Sequence, residues 1–110
     1  MSQAIERYGI YLANLDPTRR REIAKTRPVV VVSLDAMNHH LDTVVVCPLT
    51  TRIHAHWRSR VPCSCGDRRA EIAVDQIRTV SKERLGRRVD RLAPSLASQV
   101  RRLITEMYGV

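Results

Sequence analysis

The 110-residue sequence has no apolar run near the roughly 20 residues that a membrane span requires, and its N-terminus lacks the apolar core of a secretory signal. A cytoplasmic protein with no membrane partner is the expectation. Cysteine is sparse and odd in number. The odd number of Cys47, Cys63 and Cys65 argues against a closed disulfide framework and fits a reducing compartment; Cys47, inside an apolar run, is expected to pack as a small hydrophobe. Repeats, low-complexity stretches and linkers are missing too, so residues 1–110 are read as one domain with a single modest core. Acidic charge is in short supply: 11 Asp and Glu face 19 Lys and Arg, for a net charge of +8. Nearly all the cations are arginine, a balance that favours anionic partners, nucleic acid above all, although any single arginine can simply solvate the surface.

What is present is a series of short strand signals. Gly9 to Leu15 reads as a first strand, stopped by the turn-forming Asp16-Pro17. Arg19, Arg20, Arg21, Glu22 and Lys25 then crowd a loop with little apolar content. Pro28 to Val32 is a β-branched run suited to a strand buried on both faces, and its proline pushes Arg27 toward extended geometry. A polar loop through Asn38, His39 and His40 leads to a strand from Thr43 to Leu49, closed by Thr50-Thr51. Shorter strands are expected at 60–64, 71–74, 77–80 and 87–92, with Gly66-Asp67 turning between the first two. The period then changes: Leu96, Val100, Leu103, Ile104 and Met107 lie at helical spacing, with Arg101, Arg102 and Glu106 opposite and Pro94 at the first turn. Short strands followed by one amphipathic helix predict a mainly β fold, a small barrel with the helix packed against it.

Chemistry concentrates where the basic loop meets the buried strand. A guanidinium fork such as that of Arg27 can hold two phosphate oxygens and stabilise charge growing on them. A threonine hydroxyl adds a hydrogen bond, and backbone amides in a turn can complete an oxyanion site. Such a set can cleave RNA without a metal, because the ribose 2′-hydroxyl is the nucleophile and a carboxylate such as Glu22 or Asp75 can take its proton. The alternative for each is structural: a satisfied turn arginine, or for Asp75 a turn cap.

Four motifs in order give these residues a context. Leu15-Asp16-Pro17-Thr18 with Glu22, Lys25-Thr26-Arg27-Pro28 running into Val29–Ser33, Cys47-Pro48-Leu49-Thr50-Thr51, and Asp75-Gln76-Ile77-Arg78-Thr79-Val80 resemble the successive motifs of the MazF/PemK (Kid) toxin family over nearly the whole chain. The resemblance implies an SH3-like barrel of the CcdB/PemK type and a homodimer. It also implies a cognate acidic antitoxin and a metal-independent endoribonuclease without cofactors. Such an enzyme cuts single-stranded RNA, mainly mRNA, and leaves 2′,3′-cyclic phosphate and 5′-hydroxyl ends. By the same resemblance Arg27 clamps the scissile phosphate, Thr50 hydrogen-bonds it, and Glu22 or Asp75 handles the proton. Arg19, Arg20, Arg21, Lys25, Thr51, Arg52, Trp57, Gln76 and Arg78 are the expected RNA contacts.

The chain also departs from the family. Arg20-Arg21-Glu22 replaces a glycine-containing loop, and the Kid-like branch has a histidine at Arg21 and an arginine at Ala73. Of that acid–base trio only Asp75 remains, and arginine is a poor proton shuttle. Trp57, the only tryptophan, is suited either to stacking on a base or to a core or dimer interface. His54, His56, Cys63 and Cys65 present a second, weaker possibility, a tetrahedral zinc site. Two other functions share the same barrel: a CcdB-like inhibitor of DNA gyrase, disfavoured by the Met107-Tyr108-Gly109-Val110 ending, and a weakened relative that binds RNA without cutting it.

Overall fold

A computed structural model describes residues 4–15 and 26–109. Among the described residues, seven strands and two α-helices follow in chain order: β1 (Gly9–Asn14), β2 (Thr26–Val31), α1 (Asp35–His40), β3 (Thr43–Thr50), β4 (Arg60–Cys65), β5 (Arg68–Ala73), β6 (Arg78–Ser81), β7 (Leu85–Arg91) and α2 (Pro94–Tyr108). All the pairings are antiparallel, in the order β4-β5-β3-β2-β1-β7 with β6 also on β3. The long β3 makes the sheet curl. Thr43–Val46 pair with β6, Val46–Pro48 with β2 on the other edge, and Leu49–Thr50 with β5. One strand thus serves three neighbours, and the result is the expected mainly β fold with a C-terminal helix, its barrel formed as a curled half-barrel.

The valine run of β2 is the centre of the molecule. Val29, Val30 and Val31 are fully buried, and alternate side chains of a strand point to opposite faces. Val30 and Val32 therefore join Ile10, Cys47, Leu49, Ile72 and Val74 in one apolar cluster, which α2 covers with Ala97 and Val100. Val29 and Val31 join Tyr11, Val44, Val46 and Val80 in the other. Each buried valine contributes on the order of 1.5 kcal/mol or more from apolar area removed from water. Pro94 at the start of α2 fits the helix there, since its missing N–H has no intrahelical acceptor in any case. Arg101 and Arg102 remain exposed on the opposite face.

Three expectations change. The segment Asn38-His39-His40 is helical rather than a loop. Asn38 is buried; its side-chain amide donates to Ser33 O at 3.0 Å, and its carbonyl oxygen accepts from Ser33 Oγ at 2.6 Å. Asp35 in the first turn suits the helix dipole. These partners are tertiary, so local polarity did not reveal them. Strand β5 starts at Arg68 rather than Glu71, because the β4–β5 ladder runs out to Cys65 opposite Arg68 across a turn in which Gly66 takes φ +63°. Its exposed arginines masked the strand pattern. Val74 belongs to a 3₁₀ turn, Val74–Gln76, instead of to β5. No helix among the described residues is long and apolar enough to cross a membrane.

Candidate functional site

One groove of about 770 Å³ opens where β2 begins and β3 and β5 end. Arg27 stands on β2, its backbone paired opposite Ala13 of β1, so the side chain leaves an extended, anchored backbone and is exposed. Thr50 is the last residue of β3. Its hydroxyl oxygen accepts from the Arg52 N–H at 3.1 Å, a local turn that uses a lone pair and leaves the hydroxyl hydrogen available to donate. Asp75 sits in the 3₁₀ turn after β5. Arg27, Thr50, Thr51, Arg52, Trp57, Asp75 and Gln76 all line the groove. Arg78, in β6 opposite Val46 of β3, is not among its lining residues. Glu22, Arg19, Arg20, Arg21 and Lys25 lie outside the described residues.

The structure adds a residue that the motifs do not contain. Arg60 begins β4 directly opposite Ala73 of β5, so it brings a guanidinium to the neighbourhood where Ala73 has none. Its Nε donates to Asp75 Oδ1 at 2.9 Å and its Nη1 to Glu71 Oε1 at 3.4 Å. The Arg60 and Glu71 side chains are each only 4% exposed. Glu71 Oε1 also accepts the His54 N–H at 3.0 Å. A charge buried this deeply persists only when paired and hydrogen-bonded, and Arg60 is both. Its guanidinium carbon lies 4.7 Å from the centre of the Trp57 ring, a cation–π contact. Cross-strand register is set by the whole sheet, which is why spacing along the chain did not point to Arg60.

The Asp75 carboxyl is held below its ordinary value of 3.8. Desolvation acts to raise it, but hydrogen bonds from Arg60 and Ser59, its own backbone N–H and the Arg60 charge together outweigh that. Asp75 is therefore a carboxylate at neutral pH, able to accept a proton or orient Arg60 but not to donate. Tyr108, from the last turn of α2, donates to Val74 O at 2.9 Å, tying the helix to the turn that carries Asp75.

The cysteines behave as hydrophobes. Burial, then the Asp75 charge, pushes the Cys47 thiol up to about 12. Cys63 is raised to about 11 by burial, then by Cys65 and Glu71. Among the described residues no group of three or more His, Cys, Asp or Glu is placed to hold a metal ion.

Comparison with known proteins identifies the family and the fold. Residues 6–108 match the family described as PemK-like, MazF-like toxin of type II toxin-antitoxin system. The Mycobacterium tuberculosis toxin MazF-mt6 is similar at 25% identity, with 89% of this chain and 93% of that one covered and a TM-score of 0.75. An endoribonuclease in complex with its cognate antitoxin, from a mycobacterial species, shares the fold at 23% identity over 99% and 97% of the two chains, with a TM-score of 0.78. MazF of Deinococcus radiodurans, solved with MazE, gives a TM-score of 0.82 at 18% identity over 98% and 99%. A family match over nearly the full length, on a mainly β half-barrel with a C-terminal helix, means that the chain belongs to the PemK-like, MazF-like toxins of type II toxin-antitoxin systems.

Proposed function

We propose that this toxin is a metal-independent endoribonuclease that cuts single-stranded RNA, chiefly mRNA in the cytoplasm, and leaves 2′,3′-cyclic phosphate and 5′-hydroxyl ends. The convergence of Arg27, Thr50 and Asp75 on one groove carries this reading. Arg27 forks onto the non-bridging oxygens of the scissile phosphate, and the Thr50 hydroxyl donates to the same group, so both stabilise charge that builds as the adjacent 2′-oxygen attacks phosphorus. The 2′-hydroxyl proton passes to a carboxylate. Asp75 is the one the described groove presents, and Glu22 is the second candidate. The bond from phosphorus to the 5′-oxygen breaks, and that oxygen leaves with a proton from solvent. Arg52 and Arg68 extend the positive lining, Thr51 and Gln76 offer polar edges, and Trp57, 47% exposed, presents a ring to a base.

Purified protein incubated with a long single-stranded RNA in excess EDTA is expected to give discrete cuts with cyclic-phosphate ends. Uncut RNA, or cutting that chelation stops and zinc restores, defeats the metal-independent mechanism. An acidic antitoxin segment folding onto the groove by charge complementarity should stop the cutting in the same assay.

A homodimer belongs to the same reading. Leu34, Met37 and Leu41 stand exposed around α1, beside an apolar cleft lined by Val45, Ile77 and Ile104, and a second copy would take this surface from water. Sedimentation velocity should show a dimer; a monomer at tens of micromolar, a concentration chosen for roughly micromolar association, removes that part.

A further inference from the structure

The segment between β3 and β4 places two rings face to face. Residues 54–57 form a turn closed by the Trp57 N–H donating to His54 O at 2.9 Å. In such a turn the first and fourth residues come together, and here their side chains are His54 and Trp57. The rings are stacked, 3.9 Å between centroids and 9° from parallel. Near-parallel stacking is also how a nucleobase sits on an aromatic side chain. Trp57 is nevertheless 47% exposed, and both residues line the groove that holds Arg27 and Thr50.

What anchors His54 is its backbone, whose N–H reaches Glu71 Oε1 at 3.0 Å. The imidazole can therefore swing away without breaking the turn or the Glu71 bond. Arg60, 4.7 Å from the indole centre and held by two carboxylates, keeps the tryptophan in place while its other partner changes.

We propose that the His54 ring is a placeholder on Trp57, occupying the stacking position that one base of the RNA takes when the substrate binds. The inference rests on the ribonuclease reading above. It assigns Trp57 the role of base platform and His54 the role of a competitor that lowers affinity for RNA lacking a well-stacking base at that point.

The test uses the full chain and a short single-stranded RNA spanning a mapped cut site, with 2′-deoxyribose at the scissile position so that it binds without being cut. Trp57 is the only tryptophan, so its emission reports the site directly and should change saturably on binding. His54→Ala keeps the backbone anchor and removes the competing ring. It should tighten binding about two- to tenfold, the worth of one aromatic pair. Trp57→Leu should weaken binding about tenfold to a hundredfold. An abasic nucleotide at the stacking position should abolish the difference between Trp57→Leu and wild type. Saturable binding with Trp57 emission unaltered overturns the proposal. So does weaker binding by His54→Ala with a wild-type circular dichroism spectrum, which would make the imidazole a direct RNA contact. If no RNA is bound or cut at all, the ribonuclease reading falls instead, so the two failures are distinguishable.

Discussion

Arg27→Ala is expected to slow RNA cleavage by about 10³-fold, the scale seen when one preorganised donor or arginine is removed from developing oxyanion charge, while the fold stays intact. The second half of that expectation follows from position. Arg27 is exposed on β2, its backbone ladder with β1 does not depend on the side chain, and substitutions of exposed side chains usually shift stability by less than about 0.5 kcal/mol. A loss confined to kcat/KM, with an unchanged urea midpoint, marks a charge used on the phosphate. Cleavage at the wild-type rate would take Arg27 out of the mechanism.

Arg60→Met should act in the opposite way, on stability and on activity together. It leaves Glu71 buried without its guanidinium and strips Asp75 of the hydrogen bond from Arg60; breaking a buried ion pair from one side costs about 3–5 kcal/mol. Glu71→Gln in the same chain should recover part of that loss, because the second change removes the stranded charge. Arg60→Lys keeps the charge but cannot reach two carboxylates with a planar fork, so it should fall between the two. A cost under about 1 kcal/mol for Arg60→Met would show that the buried pair is not what holds this end of the sheet.

The Arg60–Asp75 pair sets a pH dependence. The folded-state pKa of Asp75 lies below its ordinary value of 3.8. The stability it contributes is thus fully present above that value and disappears as pH falls through the lower folded-state pKa. Comparing wild type with Asp75→Asn by denaturant titration should show a constant gap at neutral and mildly acidic pH that closes only in strong acid. In Arg60→Met, desolvation is left with less to oppose it, so the Asp75 carboxyl rises. The acid limb of the cleavage profile should then move toward neutral pH.

Much of the architecture could be read directly from local pattern. The valine run of β2, the Thr43–Leu49 strand and the helix opening at Pro94 each carry a period or a stop signal that depends only on neighbours in the chain. Arg27 and Thr50 were legible for the same reason, since each sits at the end of a strand signal. Asn38 was not: its helix is held by Ser33 and by its own burial, partners that a polar tripeptide does not announce. Glu71 read as a strand residue, and only the folded sheet shows its carboxylate between Arg60 and the His54 amide.

By itself, the sequence determined which strands are buried, where the helix begins, and which arginine and threonine stand at the ends of buried strands. These depend on hydrophobic periodicity and turn chemistry, which act over a few residues. Tertiary structure alone decided that Arg60 reaches Asp75 and that His54 lies on Trp57. Those pairings follow from antiparallel register and from a turn closing over the groove, and register is fixed by burial summed over the whole sheet.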